Sequence, residues 1–323
     1  MSELYGHDEA VAAFRAALDS GRLHHAWLIT GPRGIGKATF ARKAALRVLA
    51  QGAGPVPRPA LDVPDDHPAT KLMAAGSHPD FMTLERLPKD SGTELARSIT
   101  VAQARGLSRL FATTSSLSPW RVVLIDSVDD LEPSGANALL KSLEEPPPHS
   151  LFLLVSHAPE RLLPTIRSRC RTLRLGPLGQ GDMEAALRAI LSDATPREIA
   201  GLAEAAGGAP GRALAYQGLD VDKLDAAMRA LAQSGDPTNE HRAALAQSLA
   251  LKAAQPRYEA FLARAPSFIA AEARKRRGPA LADALKLWEQ ANDLSTIAVR
   301  QSLDAQATAF EMGGLIAGLA AKG

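Results

Sequence analysis

The chain has 323 residues, of which 46% are hydrophobic and 22% charged, a balance that excludes a disordered polypeptide and leaves room for two or three globular domains. A net charge of +2 gives no bulk signal for nucleic-acid binding, and the single cysteine, Cys170, excludes a disulfide framework and a multi-cysteine zinc module. The opening Met1-Ser2-Glu3-Leu4-Tyr5-Gly6-His7-Asp8 has neither a basic start nor an apolar stretch. No apolar run nears the ~18 residues a membrane span needs, so a cytoplasmic protein with no membrane partner is expected. Aromatics at 4% favour closely packed helices over sheets.

Taken in chain order, apolar periodicity predicts a helix over 8–20. A strand at Ala26-Trp27-Leu28-Ile29-Thr30 then runs straight into a glycine-rich loop, and a second helix follows over 37–50. Residues 52–80 carry prolines at 55, 57, 59, 64, 68 and 79 and read as a long surface loop. Helices are predicted over 100–112 and 134–145. Strands are predicted at Val122-Val123-Leu124-Ile125 and Leu151-Phe152-Leu153-Leu154-Val155. Continuous apolar runs of this kind fit strands buried on both faces, and their alternation with helices predicts an α/β domain around a mainly parallel sheet. After about residue 176 the strand signals fade. Helices over 181–192 and 196–206 follow, the second opened by Thr195-Pro196 and stopped by Gly207-Gly208. Longer helices occupy the remainder, with Val221, Leu224, Met228 and Leu231 on one face, and Leu281, Leu285 and Trp288 on another. The division that follows is an α/β domain over 1–176, a small helical lid domain over 177–218 and an all-α domain over 219–323. The basic run Arg274-Lys275-Arg276-Arg277 reads as a solvated helix face.

The strongest chemical signal is Gly31-Pro32-Arg33-Gly34-Ile35-Gly36-Lys37-Ala38-Thr39, between a strand and a helix. Gly31, Gly34 and Gly36 let the backbone curl so that successive N–H groups face a phosphate, and Lys37 supplies countercharge. The hydroxyl that should follow the lysine to hold Mg²⁺ is missing at Ala38, and Thr39 comes one position late. The strand over 122–125 ends in Asp126, which alone reads as a strand-end or helix-cap acid and, paired with the glycine-rich loop, as the acid of a degraded Walker B strand. The glutamate that would polarise an attacking water is replaced by Ser127, a poor general base at neutral pH. Asp129 and Asp130 are expected to face solvent. Two losses point the same way, to a nucleotide fold that has given up hydrolysis; whether ATP or ADP still binds stays open.

Three further segments are informative together. They are Gly21-Arg22-Leu23-His24-His25-Ala26-Trp27-Leu28, Asn137-Ala138-Leu139-Leu140-Lys141-Ser142-Leu143-Glu144-Glu145-Pro146-Pro147, and Leu162-Leu163-Pro164-Thr165-Ile166-Arg167-Ser168-Arg169-Cys170. They resemble the clamp-loader branch of the AAA+ proteins, and within it the delta-prime family of bacterial DNA polymerase III, over about residues 5–215. The resemblance implies an AAA+ α/β domain, a helical lid and a helical collar for oligomerisation. It implies a place in a hetero-oligomeric ring with tau/gamma-like ATPase subunits and a delta subunit, which loads a sliding clamp on primer-template DNA during replication.

Arg169 matches the Ser-Arg-Cys arginine that reaches a neighbour's ATP, Ser156 the sensor-1 position, and Arg212 in Gly208-Ala209-Pro210-Gly211-Arg212 the sensor-2 position. By itself each of the three is equally an ordinary surface or polar contact. On this reading the chain is not an enzyme alone but a stator-like part of a DNA-directed DNA polymerase complex. It requires no cofactor of its own and holds no zinc, because no cysteine lies within 44–100 and His67 and His78 cannot supply four ligands. Cys170 reads as inert packing. The competing readings are an active tau/gamma-like subunit that hydrolyses its own ATP, and a P-loop phosphotransferase.

Overall fold

The computed structural model describes residues 3–89, 95–112 and 114–320. They form two compact units, one reaching Arg212 and the other starting at Ala213. Most of the segment predicted as a separate lid groups with the α/β part.

The first unit is built on five parallel strands: β1 (Ala26–Thr30), β2 (Phe81–Glu85), β3 (Arg121–Asp126), β4 (Ser150–Ser156) and β5 (Arg171–Arg174). Their order is β2-β3-β4-β1-β5, with β1 paired to both β4 and β5. This order places the carboxyl ends of β1, β3 and β4 side by side. Alternate strand residues feed two cores. Trp27, Ile29, Val122, Leu124, Leu151 and Leu153 pack with Phe14 of α1 (Asp8–Asp19) and Phe40 of α2 (Lys37–Ala53). Leu28, Val123, Ile125, Phe152 and Leu154 pack on the opposite face with Leu139, Leu143 and Ile166. Burial on both faces is why β1, β3 and β4 read as unbroken apolar runs.

The two edge strands escaped the sequence reading. In β5, Arg171-Thr172-Leu173-Arg174 buries only Leu173, and the Arg171 guanidinium lies over the Trp27 ring at 4.8 Å. The predicted loop over 52–80 is also more structured than expected. It contains α3 (Pro68–Ala74), which has Pro68 in its first turn and a cap from His67, whose ring accepts from the Ala69 N–H at 3.1 Å. The helix predicted over 100–112 divides at Gly106 into α4 (Val101–Arg105) and α5 (Leu107–Ala112). After α6 (Pro133–Glu144) and the short α7 (Pro164–Arg167) come α8 (Gln180–Ile190) and α9 (Pro196–Ala206). Thr195 and Glu198 form a reciprocal capping box at the start of α9.

Arg47 explains how so many prolines are held in place. Its side chain is buried, and its guanidinium donates to the carbonyls of Val56, Arg58 and Asp62 at 3.2, 3.0 and 2.9 Å. Three backbone acceptors that lack ladder partners are thereby satisfied by one side chain. Arg47→Met keeps the apolar stem but orphans the Arg58 and Asp62 carbonyls, while that of Val56 keeps the Arg58 N–H at 2.9 Å. Denaturant titration should show a loss of about 2 kcal/mol of stability, with fastest proteolysis within 55–66.

The second unit is all helical: α11 (Val221–Ser234), α12 (Glu240–Leu249), α13 (Gln255–Ala273), α14 (Gly278–Gln301) and α15 (Ala305–Ala317), preceded by the end of α10 (Pro210–Tyr216). Leu224, Met228 and Leu231 are fully buried, as their spacing predicts. The stripe on α14 is a different matter. Leu285 and Trp288 are exposed, and the buried seam is Ala284, Ala291 and Ala298, one residue every seven. Alanine lets helices approach closely, so here small residues outcompete large ones for the core.

Candidate functional site

The candidate residues gather at the carboxyl ends of β1, β3 and β4. The loop after β1 curls through left-handed backbone at Gly31, Gly34 and Gly36, with φ of 143°, 76° and 100°. At Gly31 a Cβ would stand 2.3 Å from the Leu175 carbonyl oxygen. At Gly34 it would stand 2.7 Å from the Arg212 backbone nitrogen, so neither position admits a side chain. Gly36 caps α2, and Lys37 and Thr39 lie in its first turn, Lys37 buried and Thr39 half-buried.

Lys37 turns inward. Its ammonium donates to the carbonyls of Gly31 and Pro32 at 2.6 and 2.7 Å. Burial lowers its pKa to about 8, with Asp129 and Asp126 opposing the shift and Arg33 reinforcing it. The mouth of the loop is closed from the other side, because the Gly211 N–H donates to the Gly34 carbonyl at 2.8 Å. Gly211 and Arg212 lie in the first turn of α10, so the segment expected to carry sensor 2 touches the glycine-rich loop itself. Arg212 is half-buried, and its guanidinium makes no hydrogen bond or ion pair among the described residues.

Asp126 ends β3 beside the loop. Its side chain is largely buried, and burial raises its pKa against the opposing pull of Arg42 and Lys37. Arg42, one turn along α2 from Lys37, reaches both Asp126 and Glu85, at 3.4 and 3.3 Å. A side-chain cation therefore stands beside the acid that would hold metal-bound water. Sequence reasoning missed Arg42, because nothing in its spacing distinguishes it from other cations of an exposed helix face.

Asp129 corrects the expectation that it faces solvent. It lies in the middle of a single 3₁₀ turn over Val128–Asp130 and points back into the unit. It accepts from the hydroxyls of Ser127 and Ser156, both at 2.9 Å, and from the backbone N–H groups of His157 and Ala158 at 2.6 and 3.2 Å. Ser127 and Ser156, the latter expected at a sensor-1 position, thus both donate to one carboxylate. Burial alone would raise the Asp129 pKa, but the four hydrogen bonds together outweigh it and hold the value below the ordinary carboxylate range. His157 is pushed down to about 4 by burial and by Lys37 and Arg33, so it is neutral at physiological pH.

Magnesium-assisted cleavage of a triphosphate needs a lysine free to face phosphate, a hydroxyl on the metal and an acid free to order water. In this structure Lys37 donates to carbonyls of its own loop, position 38 is Ala, and Asp126 is shared with Arg42. With Ala38 and Ser127 in place of the hydroxyl and the glutamate, the residues do not fit that chemistry.

Arg169 stands apart from this cluster. It follows α7, with its side chain 35% exposed. The guanidinium donates to the Thr165 carbonyl at 2.9 Å and pairs with Glu144, the last residue of α6, at 2.8 Å. Cys170 beside it is partly buried against the core, and burial pushes its thiol up to about 12, which leaves it unreactive. No helix among the described residues is long and apolar enough to cross a membrane.

Residues 6–179 match the model of the family described as DNA polymerase III, delta subunit. Among curated proteins, DNA polymerase III subunit delta' of Pseudomonas aeruginosa is 43% identical over 147 residues, 45% of this chain and 41% of that protein. Its counterpart from Escherichia coli is 32% identical over 230 residues, 68% of this chain and 62% of that protein. DNA polymerase III subunit gamma/tau of Mycobacterium bovis is 36% identical over 168 residues, 52% of this chain and 27% of that protein. The chain thus spans about two fifths of the length of the first of these relatives.

Proposed function

Since the chain belongs to the DNA polymerase III delta-subunit family, we propose that it serves DNA replication as a non-hydrolysing subunit of the clamp loader. In this reading it sits in a ring beside tau/gamma-like ATPase subunits and a delta subunit. It lends Arg169 to the ATP of a neighbour, and the assembly places a sliding clamp on primed DNA. The observation that carries the reading is a contrast of environments within one unit. Lys37 is buried and donates to its own loop, whereas Arg169 is held at the surface with donors to spare. An arginine presents five N–H groups in a rigid fork, and two of its nitrogens suffice for the contacts with Thr165 and Glu144. The remaining N–H groups are available to a phosphate outside the chain.

The rival reading, a subunit that hydrolyses its own ATP, requires groups absent at Ala38 and Ser127. The two readings separate in the purified chain. Millimolar ATP with Mg²⁺ should leave its thermal midpoint unshifted, because a ligand that binds only the folded state at 100 times its Kd adds about 2.7 kcal/mol. Its ATP turnover should equal the buffer blank. A clear stabilisation together with turnover abolished by Lys37→Ala would replace this function with that of a motor subunit.

A further inference from the structure

The environment of Arg169 goes beyond the presence of an exposed guanidinium, and we infer that Glu144 is a positioning residue, which with the Thr165 carbonyl presets Arg169 for the neighbouring triphosphate. The inference rests on the function proposed above. Two elements meet at this point. Glu144 ends α6, whose Leu139 and Leu143 are fully buried, and Thr165 lies in α7, whose Ile166 is buried in the same core. The Arg169 backbone N–H donates to the Ile166 carbonyl at 3.2 Å, so the base of the side chain is tied to that core as well. The Leu143 carbonyl, one residue before the carboxylate, is 3.2 Å from His25 Nε2, which fixes the end of α6 to the start of β1. The two acceptors are therefore on rigid supports, and they grip two different nitrogens, Nη1 by Thr165 and Nη2 by Glu144.

A guanidinium held at two corners cannot swing about its last torsions. It loses before assembly the rotamer freedom that an unrestrained arginine would lose on meeting phosphate. Both side chains remain partly exposed, at 35% and 47%, so the pair costs little to desolvate and does not lock the arginine away. The sequence reading recognised the Leu143-Glu144-Glu145-Pro146-Pro147 segment but assigned no role to its acids. Of the two, only Glu144 meets Arg169; Glu145 is exposed beyond the helix end.

The test is steady-state ATP hydrolysis by the full loader reconstituted with its ATPase subunits, clamp and primed DNA, using Glu144→Ala, Glu144→Gln, Arg169→Ala and the Glu144→Ala/Arg169→Ala double variant. Glu144→Ala should lower kcat about fivefold, the factor that corresponds to ~1 kcal/mol for a partly exposed pair. KM for ATP should stay unchanged. Glu144→Gln keeps an oxygen for Nη2 and should recover most of the rate. The double variant should match Arg169→Ala alone, since a residue that acts through the arginine has nothing to add once the arginine is gone. Thermal midpoints of the four should agree with the parent, which excludes misfolding. Wild-type kcat or a raised kcat for Glu144→Ala overturns the inference, as does a double variant slower than Arg169→Ala by the full Glu144→Ala factor. If Arg169→Ala itself turns over normally, the underlying function fails as well. An impaired Arg169→Ala beside an unaffected Glu144→Ala removes only the positioning role.

Discussion

Arg169→Ala should lower ATP hydrolysis at the site it completes by about 10³-fold, while the loader still assembles. The magnitude follows from where charge develops in phosphoryl transfer. Negative charge spreads over the equatorial oxygens, and a guanidinium that meets it in a water-poor interface stabilises the transition state more than the ground state. Arg169→Lys should recover only a small part of the loss. Lysine keeps the charge but not the planar fork whose separate nitrogens meet Thr165 and Glu144 and leave others for a phosphate. Assembly should survive, since Arg169 is surface-exposed and its loss removes only local contacts, with Thr165, Ser168 and Glu144. Lys37→Ala supplies the control, because its ammonium serves carbonyls of its own loop. Turnover by the loader should be close to wild type at a temperature where that variant is folded. Equal losses from Lys37→Ala and Arg169→Ala would sink the proposed division of labour. Gel filtration of the complexes, run beside the ATPase assay, separates a failure of assembly from a failure of chemistry.

How far the sequence disclosed this arrangement depended on burial. β1, β3 and β4 were legible because each is covered on both faces, and so is apolar throughout its centre. β2 and β5 were not, because an edge strand buries one side of a few residues; Leu173 is the only core residue of β5. The phosphate loop was legible through its glycines, whose positive φ and close backbone neighbours admit nothing larger at Gly31 and Gly34. The inward turn of Lys37 was not, because a lysine at that position is compatible with either direction. Arg47 and Arg42 illustrate the same limit. Both belong to α2, five residues apart, and one is buried among carbonyls while the other bridges Asp126 and Glu85. Residue type and spacing are silent on that difference, which is made by loops arriving from elsewhere in the chain. Asp129 was misplaced for a related reason. Two consecutive acids after a strand normally mark a solvated turn, and only the end of β4, with Ser156 and His157, draws one of them inward.

Asp129→Ala should destabilise the α/β unit by about 3–5 kcal/mol, since four donors lose their acceptor together and the N–H groups of His157 and Ala158 have no substitute nearby. For a unit of this size that is a fall of about 10 °C in thermal midpoint. Asp129→Asn should cost less, because one amide oxygen can still accept while its NH₂ opposes a backbone donor. The pH dependence sets this carboxylate apart from an ordinary cavity effect. Its folded pKa lies below the unfolded value of about 3.9. The unfolded chain therefore takes up the proton first on acidification. The stabilisation is fully present above about pH 4–5 and is lost as the pH falls through the folded pKa. Wild type and Asp129→Asn should accordingly differ most near neutrality and converge toward pH 3, as followed by urea unfolding at each pH. A gap that stays constant down to pH 3 would mean that the charge of Asp129 contributes nothing, and that the four donors are held by geometry alone. The same four bonds tie the end of β3 to the end of β4. Asp129→Asn should therefore also accelerate amide exchange at His157 and Ala158 well above the change at the centre of β4.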